Sequence, residues 1–223
     1  MKEMKWTFNG YNVYVERPEN PNRKWIWKTE FFHAFDAAEC KLLEMGYTRV
    51  YYSISEKYGS YNAVRLMHEF HKHIIKELDL CEKPTLFGFS RGGLYAFNYT
   101  LFYPECVEKV YLDAPVLDMR TWPPHPSRER DSVYAEYGLN KETIETFGGH
   151  PVENFREYFD LKIPTLLVAG GADEVVPYEA NSKKMIDYCE ANGIPLTYFV
   201  KPECLHHPHS LEDVTPIIKF IEE

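Results

Sequence analysis

The chain has 223 residues, 44% of them hydrophobic, 16% aromatic and 26% charged, a composition that excludes disordered, collagenous and disulfide-scaffold proteins. At ~150 residues per domain, this length suits one domain with an insertion. With 25 Lys and Arg against 34 Asp and Glu the formal charge is −9, a field that repels nucleic acid and anionic membrane surfaces.

In chain order, Lys5–Phe8 and Tyr11–Glu16 flank Asn9-Gly10, a step suited to the positive dihedrals of a tight hairpin turn. Lys24–Trp27 reads as a third strand. The three- and four-residue spacing of Phe31, Phe35, Ala38 and Leu42 predicts a helix that Gly46 stops. Arg49–Ile54 is the next strand, and Met67, Phe70, Ile74 and Leu78 line one face of a helix over Ala63–Leu78. Thr85–Phe87 is a short apolar strand between Pro84 and Gly88, with a helix to about Tyr103 after Gly92-Gly93 and a strand at Val110–Leu112. Residues 117–160, rich in Pro and Gly, break the order and read as a cap inserted into a single domain spanning 1–223. Alternation resumes with a strand at Thr165–Ala169, a helix from about Tyr178 to Ala191 and a strand at Leu196–Val200. A last helix runs through Ile217, Ile218 and Ile221, with Ser210-Leu211-Glu212-Asp213 as a capping-box-like start. Alternating strands and helices imply a mostly parallel sheet of about eight strands, with helices on both faces and ligands at the carboxyl ends of the strands.

No stretch approaches the roughly 20 apolar residues of a membrane span, and Met1–Gly10 has no apolar signal-peptide core. Cys40, Cys81, Cys106, Cys189 and Cys204 form an odd set without a Cys-x-x-Cys pair, as expected of free thiols in a reducing compartment. A cytoplasmic location is the expectation.

Gly88-Phe89-Ser90-Arg91-Gly92 matches Gly-x-Ser-x-Gly between a strand and a helix. A nucleophile on such a turn has a strained backbone, and its neighbours two before and two after must lack side chains that collide. The turn also aims the Arg91 amide and the helix dipole at the place where an oxyanion forms. A serine hydroxyl is a poor nucleophile at neutral pH and needs a histidine base, which in turn needs a carboxylate to set its tautomer. Asp173, after the strand Thr165–Ala169, is the chosen acid; Asp113 is held in reserve, ahead of Glu174. Cys204-Leu205-His206-His207-Pro208-His209 stands where the base belongs in the order Ser, Asp, His. His206 is preferred, with His207 left open. Neither His68-x-x-His71-x-His73 nor the His206, His207, His209 group has a persuasive zinc ligand set, so no metal and no cofactor is expected.

With Ser90, Asp173 and His206 in this order, the chain resembles the α/β-hydrolase superfamily over nearly its whole length. The runs Trp25-Ile26-Trp27-Lys28, Gly88-Phe89-Ser90-Arg91-Gly92-Gly93 and His206-His207-Pro208-His209-Ser210-Leu211-Glu212-Asp213 are similar to a little-characterised bacterial group described as serine esterases or lipases. Glu203-Cys204-Leu205 departs from the glycines that commonly precede the histidine in that group. The resemblance implies an α/β-hydrolase fold and a second oxyanion donor after the third strand, here the amide of Trp27 or Lys28. It also implies a serine esterase that cleaves a small-molecule carboxylic ester through an acyl-enzyme on Ser90, without nucleic-acid or membrane partners. Arg91 offers a guanidinium for a substrate carboxylate, and glucuronoyl esterases look alike at this turn, so esters of acetylated or uronate sugars are the alternative. A binding module on the same fold is the non-enzymatic alternative. Trp27, Tyr58 and Trp122 are candidate walls of an acyl or sugar pocket.

Overall fold

The computed structural model describes residues Met1–Glu223. Strands β1 (Lys2–Phe8) and β2 (Tyr11–Arg17) form the expected hairpin. Asn9 and Gly10 turn it at φ of 47° and 83°, the doubly positive geometry of a type I′ turn. Then follow β3 (Trp25–Lys28), α1 (Ala37–Glu44), β4 (Thr48–Tyr52), α2 (Tyr61–Glu77), β5 (Thr85–Phe89), α3 (Gly92–Phe102) and β6 (Lys109–Asp113). The remainder holds α4 (Arg128–Tyr137), α5 (Phe155–Asp160), β7 (Thr165–Gly170), α6 (Ser182–Asn192), β8 (Thr197–Lys201) and α7 (Thr215–Glu222). The eight strands lie in the order β1-β2-β4-β3-β5-β6-β7-β8. β2 is antiparallel to β1 and β4, and every other pairing is parallel. This is the α/β-hydrolase arrangement.

The two-residue period of the central strands sorts their side chains onto two faces. Leu86, Leu112 and Leu167 join Trp25, Trp27, Phe70, Phe97 and Met185 in the larger core, under α2, α3, α5 and α6. Phe87, Phe89, Tyr111, Leu166 and Val168 pack with Leu42, Ile217 and Ile221 of α1 and α7 in the smaller one. Because β3 to β8 all run parallel, their carboxyl ends share one edge of the sheet, and the loops leaving it converge there.

Three local expectations are corrected. The helix expected from Phe31 begins only at Ala37, and Phe31 and Phe35 have left-handed φ of 57° and 52°. The buried guanidinium of Arg49 on β4 binds Asp36 at 2.8 Å and Glu16 at 2.7 Å, holding the chain in a turn just before the helix. The capping-box start at Ser210 is not formed: Ser210 has φ of 68° and donates its amide to buried Asp113 at 2.6 Å. Helix α7 starts instead at Thr215, whose amide bonds Asp213 Oδ1 at 2.9 Å. Within 117–160, α5 is no part of an excursion, since Phe155 and Tyr158 join the larger core and Tyr158 stacks on Phe97 at 4.2 Å. The segment before it builds a separate small core, with Met119, Trp122, Val133 and Ile144 around Tyr58, Leu94 and Val176. No helix is long and apolar enough to cross a membrane.

Candidate active site

Ser90 sits between β5 and α3 with φ of 51°, the left-handed region that a non-glycine residue enters only under constraint. Its amide donates to Asp113 O and its carbonyl accepts from Val116 N, both at 2.9 Å, so the strained residue is tied to the neighbouring strand on both sides. A Cβ on Gly88 would lie 2.8 Å from Ala96 Cβ, and one on Gly92 2.8 Å from Thr29 Oγ1. Side chains are therefore excluded at both positions by packing.

Asp173 follows β7 in a loop whose two carboxylate oxygens are divided between two tasks. Oδ1 accepts the amides of Val175 and Val176 at 2.9 and 3.0 Å, and Oδ2 faces His206 Nδ1 at 2.7 Å. His206 Nε2 is 3.0 Å from Ser90 Oγ. These distances fit a neutral imidazole that donates from Nδ1 to Asp173 and accepts the Ser90 hydroxyl on Nε2. All three residues are buried. The loops carrying acid and histidine are stitched together by Ala172 N→Cys204 O at 3.0 Å. Gly170 permits this closeness, because a Cβ there would stand 2.2 Å from Leu205 O.

Asp113, the reserve acid, is placed elsewhere. Its carboxylate takes His209 Nδ1 at 2.7 Å, Tyr111 Oη at 2.6 Å and the Ser210 amide, which fastens the far end of the histidine loop to β6. Lys201 Nζ fastens the same loop from β8, donating to Ser210 O at 2.8 Å and to Pro208 O. His207 is the exposed histidine of the loop, stacked on Phe35 with ring centres 5.2 Å apart. Partial burial and the adjacent His209 and His206 rings lower its pKa, since neighbouring imidazoles disfavour a further cation.

The amide of Arg91 makes no hydrogen bond within the protein and lies at the start of α3, where unpaired N–H groups and the helix dipole favour an anion. Trp27, expected to give the second donor, is corrected. It lies inside the ladder, paired with Val50 and Leu86, and is 1% exposed in the larger core. The Thr29 amide is likewise spent on Phe87 O at 3.0 Å. The amides of Glu30 and Phe31 make no hydrogen bond within the protein, and Glu30 lies in the turn that packs against Gly92. The sequence carried one signal for this turn, the aromatic run Phe31-Phe32 close behind the strand.

Arg91 reaches back over the same turn. It donates to Glu30 Oε2 at 3.2 Å and to Glu129 Oε1 at 3.0 Å, with Phe31 beneath the guanidinium. Burial raises the Glu30 pKa, with Arg91 opposing, and Glu30 Oε1 has no partner. The guanidinium charge is thus already met by two carboxylates. Tyr58 and Trp122 are both buried in the small third core, 6.4 Å apart, which removes them and Trp27 as walls of an open pocket. Four exposed large apolar side chains lie in the loops that carry the site: Leu205 (60%) next to His206, Val175 (56%) close to Asp173, and Phe31 (38%) and Phe35 (37%) against Arg91 and His207. The histidines of α2 are dispersed. His71 bonds Tyr99 Oη and Glu82 O, His68 stacks on Tyr103, and His73 stacks on Phe8.

Residues 46–223 match the prolyl oligopeptidase family. No curated protein matches the chain. Among solved structures it is similar to a puromycin-hydrolyzing peptidase of Mycobacterium tuberculosis, at 12% identity and a TM-score of 0.69, over 99% of this chain and 38% of that one. It is similar also to a carboxylesterase of Lactobacillus plantarum (14%, TM-score 0.69, 92% and 85% of the two chains). A monoacylglycerol lipase of Paleococcus ferrophilus matches at 20% and a TM-score of 0.57, over 87% and 90%. The chain thus spans well under half the length of the peptidase and most of the length of the esterase and the lipase.

Proposed function

The chain belongs to the prolyl oligopeptidase family and has the α/β-hydrolase fold, and from that premise we propose that it is a serine hydrolase, an esterase acting on small, uncharged carboxylic esters. The observation that carries this reading is the hydrogen-bonded series Asp173–His206–Ser90 at the carboxyl ends of β5, β7 and β8. In the proposed reaction Ser90 Oγ attacks the ester carbonyl as its proton passes to His206 Nε2, and Asp173 holds the imidazolium. The oxyanion lies between the Arg91 amide and the turn amides of Glu30 and Phe31, donors that need no reorganisation as charge develops. On collapse the alcohol leaves with the proton from His206. Water, deprotonated by the same nitrogen, then releases the acid from Ser90.

Two features support an uncharged ester. The rim of Phe31, Phe35, Val175 and Leu205 offers apolar surface to an acyl or alcohol group. Arg91, bound to Glu30 and Glu129, has no free charge to offer a uronate. The small core from Met119 to Phe147 is proposed as the cap that bounds the alcohol side.

A phosphonate that traps serine hydrolases, followed by peptide mass spectrometry, should place one adduct on Ser90. The trapped enzyme should lose hydrolysis of short-chain nitrophenyl esters. A parallel panel of peptide amides, acetylated sugars and uronate esters tests the substrate class. Faster turnover of any of these than of the simple esters overturns the ester proposal, and the absence of an adduct overturns the Ser90 assignment.

A further inference from the structure

His206 and His209 each have Nδ1 tied to a buried carboxylate, Asp173 and Asp113, both at 2.7 Å. In each ring Nε2 is therefore the nitrogen turned away from its aspartate. His207, between them, makes no hydrogen bond through either ring nitrogen and is exposed. The three ring centres form a nearly equilateral triangle of 4.8, 4.9 and 4.9 Å, with planes inclined at 60°, 79° and 87°. One ligand nitrogen from each ring lies within 4.8 Å of the other two.

That arrangement has a chemical use. An imidazole that donates one N–H to a carboxylate has its tautomer and direction set for binding a metal through the other nitrogen. At Zn–N distances of ~2.0–2.1 Å, three tetrahedrally disposed imidazoles hold their ring centres roughly 5 Å apart. The observed triangle has that size. Tetrahedral nitrogens on zinc stand ~3.3 Å apart, so the widest-set pair must close by about 1.5 Å around an ion, and exposed His207 is the ring freest to move.

We propose that His206, His207 and His209 form an inhibitory site for a first-row divalent transition ion such as zinc, with water at the remaining position. The inhibition, though not the binding, rests on the esterase reading above. The ion would take the Nε2 lone pair of His206 that otherwise accepts the Ser90 hydroxyl at 3.0 Å, leaving the Ser90 proton without an acceptor. Coordination and loss of that hydrogen bond are the whole change; nothing is oxidised or reduced. Three nitrogen donors select zinc, nickel or copper over magnesium and calcium, which prefer oxygen.

The test uses the full chain without a polyhistidine tag. Calorimetric titration with zinc chloride should give one ion per chain, and ester hydrolysis should fall in step with occupancy. A chelator should restore the activity, and magnesium at equal concentration should leave it unchanged. His207→Ala should keep its zinc-free activity and bind zinc at least ~10-fold more weakly. His209→Gln should weaken zinc binding in the same sense. Wild-type protein that binds no zinc, or His207→Ala that binds it as tightly as wild type, overturns the site. The two readings separate cleanly: zinc binding that depends on His207, in a protein that neither hydrolyses esters nor takes the phosphonate, upholds the ion site and defeats the esterase.

Discussion

Two histidine–aspartate pairs stand on one loop three residues apart, and their surroundings divide them. His206 has Asp173 on one nitrogen and Ser90 Oγ on the other. His209 has Asp113 on one nitrogen and no hydrogen-bond partner on the other, with its ring against those of Phe35 and Phe89. Both aspartates are buried and both contacts are 2.7 Å. A buried His–Asp contact is therefore no mark of chemistry by itself. What the second nitrogen meets decides whether the pair can move a proton or only hold a loop.

Removing the hydroxyl that distinguishes the two pairs should have the largest effect. Ser90→Ala should cut ester hydrolysis by as much as ~10⁶, with circular dichroism and melting temperature unchanged. Asp173→Asn should lower kcat by ~10⁴, because an amide at that position favours the wrong imidazole tautomer. An equal loss in Asp113→Asn, measured in the same assay, would exchange the roles of the two pairs.

A third buried histidine has no carboxylate partner. His71 accepts the Tyr99 hydroxyl and donates to Glu82 O, and burial drives its pKa down to about 4. Between the unfolded value of ~6.5 and the folded value the unfolded chain binds the extra proton. The stability His71 confers is thus complete above pH ~6.5 and is lost as the pH falls towards 4, a loss of about 3 kcal/mol. Urea midpoints measured from pH 7.5 to 4.5 should show this slope in the wild type and lack that portion of it in His71→Gln.

Asp113→Asn should act mainly on stability. It weakens the anchors to His209, Ser210 and Tyr111 at a cost of about 1–3 kcal/mol in chemical denaturation. Displacement of the loop should slow hydrolysis by no more than ~10². The smallest effect belongs to Arg91→Lys. Because Glu30 and Glu129 already neutralise this side chain, uronate and neutral esters should respond alike, within a few-fold. A KM rise confined to the charged ester would restore the guanidinium as a substrate ligand.

The alternation of apolar strands and helices was legible in the sequence because each element carries its own period, and the order Ser90, Asp173, His206 was legible because each residue follows a strand that could be recognised locally. Tertiary structure alone decided the rest. Ring spacing placed Phe31 and Phe35 on a helix, and only the distant Arg49, by binding Asp36 and Glu16, turns them out to the rim. Its place at the end of a strand made Asp113 a reserve acid, whereas pairing of β6 beside β5 and β7 and its bond to His209 fix it under the histidine loop. The amide of Trp27 was spent on the ladder for the same kind of reason, leaving the oxyanion role to a turn defined by its packing on Gly92. Periodicity reports the environment of a residue along its own element. Which nitrogen, carboxylate or amide remains unpaired depends on contacts between residues far apart in the chain, and those exist only once the sheet has closed.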